Sequence, residues 1–123
     1  MKKVHTTNAP EAIGPYSQAV ICGNLVFTSG QIAIDPLDGQ VHASTIEEQT
    51  EQVCKNLCAV LEAAGTSVEK AVKTVCFLSD MADFATFNEV YGRYFVSKPA
   101  RSCVAAKQLP KNVLVEVEVI AEL

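Results

Sequence analysis

The sequence lacks the features that mark membrane, secreted and nucleic-acid-binding proteins. It has no run of about 18 consecutive apolar residues, the length that a membrane-spanning helix needs. Its opening, MKKVHTTNAP, carries two lysines but no apolar stretch behind them, so we expect no signal peptide and a cytoplasmic location. Lysine and arginine are scattered, and the net charge is −4. Nucleic acid is therefore an unfavoured partner, because phosphate binding needs a basic patch.

A disulfide framework is not expected either. The five cysteines are an odd number, and they lie in apolar segments without a secretory signal. We therefore expect reduced thiols that mostly pack as small core residues. Cys54 and Cys58 have the i, i+4 spacing of a ligand pair on a helix, but no second Cys or His pair accompanies them. Core packing is the preferred interpretation, and we expect no metal site.

What the sequence does contain fits one globular domain, residues 1–123. Apolar residues make up 49% of the chain and charged residues 20%, without repeats or low-complexity segments. The stretch AVICGNLVFTSGQI predicts two strands, 19–22 and 25–29, joined by a tight turn at Gly23-Asn24. The loop-forming sequence DPLDGQ follows at 35–40.

Two helices and three further strands are predicted downstream. Ser44 is a candidate N-cap with Glu47 three residues later, and Gly65 marks the end of the first helix. Aromatic residues at helical spacing predict a second helix over 84–95, most simply with a core-facing stripe. The remaining β-rich segments are 71–80, 101–106 and 113–121. This order predicts an α+β fold in which two helices cover one face of a single mixed sheet.

The last strand alternates strongly between valine and glutamate. Val113 to Ala121 are apolar at every odd position and should meet the helices, which turns Glu116 and Glu118 to the other face. In the preceding strand, Val104 and Ala106 fit the same core-facing row, so Arg101 and Cys103 are predicted to share the uncovered face with Glu116. Because Leu114, Ile120 and Cys103 would make that face half-apolar, we predict that it is buried against further copies of the chain.

Arg101 has two interpretations at this point. It could pair with Glu116 or Glu118 of another subunit as a structural ion pair. Alternatively, its planar guanidinium is the natural bidentate receptor for a small carboxylate, with Glu116 serving water or proton chemistry beside it. The residue pattern leaves both open.

Several short motifs in order resemble those of one family. They are IGPYSQA at 13–19, FTSGQI at 27–32 with DPLDG behind it, PARSCV at 99–104 and VEVEVIA at 115–121. The segments NLCAVLEAAG and FLSDMADFATFNEVYGRYF resemble the two helices of the same family. On these motifs the chain is identified as a member of the RidA (YjgF/YER057c/UK114) family, over essentially its whole length.

The resemblance implies a chorismate-mutase-like fold and a homotrimer with clefts between its subunits. It implies hydrolysis of 2-iminobutanoate and 2-iminopropanoate, which pyridoxal-phosphate-dependent dehydratases release, to 2-keto acids and ammonia. It implies no cofactor and no metal. By position, Arg101 matches the carboxylate-binding arginine and Glu116 the acid that helps to hold the hydrolytic water. Tyr16 matches an aromatic cleft residue, Ser29 and Gly30 belong to the wall, and Cys103 offers main-chain contacts near the imine.

Alternatives and departures remain. Ala105-Ala106 replaces a polar or acidic residue and valine found in many relatives, which could alter the cleft rim or trimer contact. Cys103 as a nucleophile would need a nearby base, but His5 and His42 fall in end and loop segments. Ser29 lacks a GxSxG elbow, so a wall or turn role is favoured. The rival functions are a carboxylate-binding or chaperone-like trimer without turnover and, less favoured, a ribonuclease or translation inhibitor.

Overall fold

The structure, a computed structural model, describes every residue from Met1 to Leu123. It contains one six-stranded sheet and two α-helices. The strands are β1 (Lys2–Val4), β2 (Ala19–Cys22), β3 (Leu25–Thr28), β4 (Ala71–Leu78), β5 (Ala100–Ala105) and β6 (Val115–Glu122), and the helices are α1 (Ile46–Ala63) and α2 (Phe84–Tyr94). Short 3-10 turns lie at Val68–Lys70, Met81–Asp83 and Pro110–Asn112. The predicted α+β class with a single mixed sheet is confirmed.

The N-terminal hairpin forms as the sequence predicts. Gly23 adopts φ 63, a conformation that glycine takes at little cost, and β2 and β3 pair antiparallel on either side of the turn. The short strand β1 was not predicted. It pairs antiparallel with β2, with Lys3 opposite Val20, and forms one edge of the sheet.

The caps of α1 differ from the prediction by one residue at the start. Thr45, not Ser44, is the N-cap, because its hydroxyl oxygen accepts a hydrogen bond from the Glu48 N–H at 3.2 Å. The same hydroxyl donates to the Glu48 carboxylate at 2.9 Å, so the capping pair is Thr45 and Glu48. The end is as predicted: Gly65 has φ 90 just after the last helical turn.

The strand order β1-β2-β3-β6-β4-β5 places β6 in the middle of the sheet. All neighbouring strands are antiparallel except β4 and β5, which are parallel. The core consists mainly of side chains between the sheet and the helices, and Val115, Val117 and Val119 are almost completely buried there. The predicted valine row of β6 therefore faces the helices, and Glu116 and Glu118 face away from them.

The predicted orientation of β5 is wrong. Arg101 lies opposite Thr74 of β4, and Cys103 lies opposite Cys76, and both β4 residues are buried in the core row. Arg101 and Cys103 therefore point to the helix side, whereas Val104 points to the uncovered side and is 51% exposed. The prediction assumed that valine must mark the core. On this edge strand, the pairing register and the overlying α2 decide the orientation instead.

The sheet face without helices is half-apolar in this chain. Its apolar side chains are half-buried or exposed and come from β2, β3, β4, β5 and β6: Val20, Phe27, Val75, Phe77, Val104 and Ile120. We call this set the uncovered face. Neither helix of the structure combines the length and hydropathy needed to cross a membrane.

Candidate active site

Four of the predicted site residues line one cleft, which we call the Glu116 cleft. Its volume is about 510 Å³, and its wall includes Tyr16, Ser29, Gly30 and Glu116. The other lining residues come from the N-terminal segment, the stretch after β3 and the turn before β6: Pro10, Glu11, Ile13, Gln18, Gln31, Ile32, Ile34, Pro110 and Lys111. The wall combines apolar side chains with many polar ones, and concave surfaces with converging polar groups are where small molecules usually bind.

Gly30 and Glu116 are in direct contact in this cleft. A Cβ atom added to Gly30 would lie 2.0 Å from Oε2 of Glu116 and 2.8 Å from its Cδ. Real Cβ atoms do not approach other atoms so closely. The absence of a side chain at residue 30 therefore lets the Glu116 carboxyl group lie against the backbone of the cleft wall.

The Glu116 carboxyl group is half-buried and has no hydrogen-bond or ion-pair partner within the chain. Burial raises the pKa of Glu116 above its ordinary value, and the neighbouring Glu118 carboxylate raises it further. A carboxylate with a raised pKa and free oxygens is a stronger base toward a bound water molecule than an ordinary glutamate.

Ser29 has its hydroxyl committed to the cleft wall. The hydroxyl donates to the carbonyl of Ser17 at 2.6 Å, and the Ser29 N–H donates to the carbonyl of Gln18 at 2.9 Å. These bonds hold the segment that carries Tyr16, a residue that is 52% exposed. The geometry places Ser29 in the cleft wall, and its role there stays a prediction.

Sequence reasoning missed two buried amides that shape the Glu116 cleft. Gln18 is 2% exposed, and its side chain donates to the carbonyls of Thr6 and Pro10 at 3.0 and 2.7 Å, tying the N-terminal segment to the wall. Asn56 of α1 donates to the carbonyls of Ile32 and Ile34 at 3.1 and 2.9 Å. In the sequence, the available signal was a polar amide next to apolar residues. When such an amide is buried, its polar atoms must find hydrogen-bond partners.

Arg101 lines a different cleft of about 440 Å³, which we call the Arg101 cleft. Its guanidinium carbon lies 5.3 Å from the ring centre of Phe84 and 5.0 Å from that of Tyr91, both on α2. One guanidinium N–H donates to Oδ1 of Asn88 at 2.7 Å. Aromatic faces and a neutral amide stabilise the cation, but no carboxylate of the chain forms an ion pair with it.

Tyr91 is itself held in place beneath Arg101. Its hydroxyl and the Thr74 hydroxyl are hydrogen-bonded at 2.7 Å inside the core. Its ring stacks on Phe95 with a centroid distance of 4.4 Å and meets Phe87 at 5.4 Å. Burial raises the pKa of Tyr91, so its hydroxyl stays protonated and the ring beneath Arg101 stays neutral.

Cys103 is half-buried on the helix side, and it does not line the Glu116 cleft. Burial raises the pKa of its thiol, which outweighs the lowering by Arg101. Neither histidine is available as its base, since His5 bonds Glu11 at 2.9 Å and His42 bonds Asp38 at 2.7 Å. The arrangement offers no activated thiolate.

The cysteine pair on α1 does not gather further ligands. Cys54 is fully buried and Cys58 half-buried, and burial is the main cause that raises both thiol pKa values. The one group of three or more potential metal-ligating side chains is Asp35, Asp38 and His42, on the loop before α1, and it includes no cysteine. Core packing accounts for Cys54 and Cys58.

Arg101 and Glu116 lie on opposite faces of the sheet. On β4, which pairs with both of their strands, Arg101 is opposite Thr74 and Glu116 is opposite Phe77. Because successive side chains alternate between faces and the only irregularity of β4 lies before Thr74, residues 74 and 77 point in opposite directions. The structure thus brings Tyr16, Ser29, Gly30 and Glu116 together and leaves Arg101 and Cys103 apart, contrary to the predicted shared face.

Comparison with known proteins finds relatives along the whole chain. A family model described as Endoribonuclease L-PSP matches residues 6–123. Reactive Intermediate Deaminase A, chloroplastic, from Arabidopsis thaliana is 46% identical over 121 residues, which cover 98% of this chain and 65% of that protein.

Solved structures agree closely with the fold. A Thermotoga maritima protein provisionally described as an endoribonuclease superimposes with a TM-score of 0.97 at 53% identity, covering 100% of this chain and 98% of the other. The E. coli protein TdcF, crystallised with bound serine, gives a TM-score of 0.95 at 42% identity, with coverage of 100% and 99%.

Proposed function

The chain belongs to the RidA family, the family described as Endoribonuclease L-PSP, and from that premise we propose that it is a hydrolytic deaminase of reactive 2-imino acids. The proposed substrates are 2-iminobutanoate and 2-iminopropanoate, and the products are the 2-keto acids and ammonia. The observation that carries the proposal is the half-buried Arg101 guanidinium, which no carboxylate of the chain neutralises. A 2-imino acid supplies that carboxylate.

In the proposed reaction, Arg101 binds the substrate carboxylate through two parallel hydrogen bonds. An iminium carbon is already electrophilic, so the site has mainly to orient the acid and deliver water. The Glu116 carboxylate accepts a proton from water while the water oxygen bonds to C2. As water adds to C2, the C=N π electrons become the nitrogen lone pair, and Glu116 returns its proton to that nitrogen. The carboxylate then takes the proton of the new hydroxyl group while the C=O bond of the keto acid forms, the C–N bond breaks and ammonia leaves, and Glu116 finally releases this proton to solvent.

We further propose that each site forms between two copies of the chain. Arg101 and Glu116 cannot meet within one chain, since they project from opposite faces of the sheet. The uncovered face presents Phe27, Phe77 and Val104 without helices over them. Contact between copies would bury these groups and could bring the Arg101 cleft of one chain to the Glu116 cleft of the next. The assembly proposed is a homotrimer, and a monomer by light scattering at micromolar concentration would contradict it.

The proposed compartment is the cytoplasm. All five cysteines are free thiols in the structure, in keeping with a reducing environment. The proposed reaction uses no cofactor and no metal ion, because carboxylate binding and water delivery are assigned to protein side chains.

The experiment couples a pyridoxal-phosphate-dependent threonine dehydratase to the purified protein, with semicarbazide as a competing trap for the imine. Wild-type protein should reduce semicarbazone formation, and Arg101→Ala should not. Arg93→Ala is the matched control, because Arg93 is the other arginine and is exposed on α2, whereas Arg101 stands on β5. Equal semicarbazone yields with wild-type protein and buffer would refute the deaminase.

A carboxylate-binding module without turnover is the second candidate, supported by the serine bound to the related TdcF structure. It shares the requirement for Arg101 but not for Glu116. Retained binding of 2-oxobutanoate together with no imine hydrolysis by the wild type would favour it.

A further inference from the structure

The polar partner that the chain gives to Arg101 is a neutral amide. Oδ1 of Asn88 accepts one guanidinium N–H at 2.7 Å, and no acidic side chain takes the place of that amide. A guanidinium has five N–H donors, so most of them remain without a protein acceptor. The cation is therefore oriented without being neutralised.

Asn88 belongs to a single stripe of α2. Phe84, Asn88 and Tyr91 are spaced i, i+4 and i+7, which places them on one side of the helix. The guanidinium carbon lies 5.3 and 5.0 Å from the centres of the two rings, and the amide lies between them in sequence. Tyr91 is fixed from behind by Thr74. Two aromatic contacts restrict the position of the guanidinium, while the directional hydrogen bond to Asn88 restricts its rotation.

We propose that Asn88 is a positioning residue that sets the carboxylate affinity of Arg101, and that its neutrality is the property the site requires. This inference rests on the proposed function, in which Arg101 receives the substrate carboxylate. Asn88 accepts one hydrogen bond from the Arg101 guanidinium and so orients the remaining guanidinium N–H groups toward the ligand. An aspartate of the same shape would accept the same bond, but its charge would compete with the substrate for the cation.

The test compares Asn88→Asp and Asn88→Ala with the wild type, using 2-oxobutanoate as a stable probe in titration calorimetry. Asn88→Asp should weaken probe binding by at least about tenfold, because a permanent anion competes for Arg101. Asn88→Ala should weaken it by about three- to tenfold, because the guanidinium loses its orientation but keeps its charge. In the imine assay, both variants should raise KM more than they lower kcat. Glu89→Gln is the matched control, an exposed neighbour that forms no hydrogen bond or ion pair with Arg101.

Thermal stability separates positioning from a purely structural role. Asn88→Asp should raise the melting temperature while it weakens binding of 2-oxobutanoate. The new aspartate would form an ion pair that neutralises the half-buried Arg101 guanidinium. If Asn88 only supports the fold, the substitution should lower both the melting temperature and the affinity for 2-oxobutanoate, or leave the affinity unchanged. Asn88→Ala keeps the test decisive if Asn88→Asp fails to fold.

Nitrogen-15 NMR gives a readout that does not depend on activity. The chain has two arginines, so Arg101 side-chain signals can be assigned with Arg93 as an internal reference. Asn88→Ala should broaden or shift the Arg101 signals and leave those of Arg93 unchanged. Wild-type affinity for 2-oxobutanoate in folded Asn88→Asp, or no binding by the wild type, would overturn the inference. The imine assay tests the proposed deaminase activity independently of the role of Asn88. If Asn88 is unimportant but the protein is a deaminase, the wild type will still hydrolyse the imine.

Discussion

Arg101 and Glu116 face opposite sides of the same β-sheet, although their strands are separated only by β4. The cation stands on the helix side, over the rings of Phe84 and Tyr91. The carboxyl group stands on the other side, against Gly30. If both act on one substrate, they must come from different copies of the chain.

Mixed assemblies test this arrangement directly. Arg101→Ala and Glu116→Gln should each be inactive alone, but co-expression with different affinity tags should restore activity in purified mixed trimers. In a cyclic trimer, every mixed assembly has one of its three sites with both native residues, so the purified mixed trimers should show about a third of wild-type activity. The measurement is the imine assay on co-expressed protein. No recovery in verified mixed trimers would contradict a site shared between chains.

Gly30→Ala should inactivate the protein through Glu116. The added methyl group would overlap Oε2 of Glu116, and the far end of that side chain can swing away at little cost in stability. We expect at least about a tenfold loss of kcat/KM with a small change in melting temperature. The double variant Gly30→Ala, Glu116→Gln should be no worse than Glu116→Gln alone. Additive losses would mean that Gly30 acts by another route.

The pH dependence of activity should report the ionisation of Glu116. Burial and Glu118 raise the pKa of Glu116, so its ionised form, which accepts the proton from water, is lost as pH falls through that raised value. Glu118→Gln removes the repelling charge and should move the acidic limb of the kcat/KM profile to lower pH. If the acidic limb stays at the same pH in Glu118→Gln, that limb does not report the ionisation of Glu116.

The same shift has a thermodynamic counterpart. The pKa of Glu116 is higher in the folded state than in the unfolded state. The protonated side chain therefore contributes its full stabilisation of the fold below the unfolded pKa, and this contribution is lost as pH rises through the folded pKa. Ionised Glu116 therefore destabilises the fold near neutral pH. Glu116→Gln should raise the melting temperature at pH 7 but have less effect at pH 4, by calorimetry at one protein concentration. A lower melting temperature at pH 7 would count against this account.

Cys103→Ala should leave activity largely intact. The thiol is half-buried with a raised pKa, and both histidines are bonded to surface carboxylates, so nothing generates a thiolate. We expect kcat/KM within about threefold of wild type, since the proposed contribution of this residue is made by its main chain. A loss comparable to that of Arg101→Ala would revive covalent catalysis.

Much of the candidate site could be found without tertiary structure. Tyr16, Ser29, Gly30 and Glu116 were predicted from short motifs, and they line one cleft in the structure. Gln18, Asn56 and Asn88 were missed because a polar side chain gives no local sign of its distant partner. Gln18 reaches back 12 residues to Thr6, and Asn88 meets an arginine 13 residues ahead.

The sequence by itself determined the hairpin, the end of α1 and the inward valine row of β6, because turn chemistry and side-chain periodicity are local properties. Only the tertiary structure decided which way β5 faces. The segment ARSCVA has no strong alternation, so its orientation depends on parallel register with β4 and on the rings of α2. That one orientation places Arg101 away from Glu116, and it turns a predicted single-face site into two separate clefts.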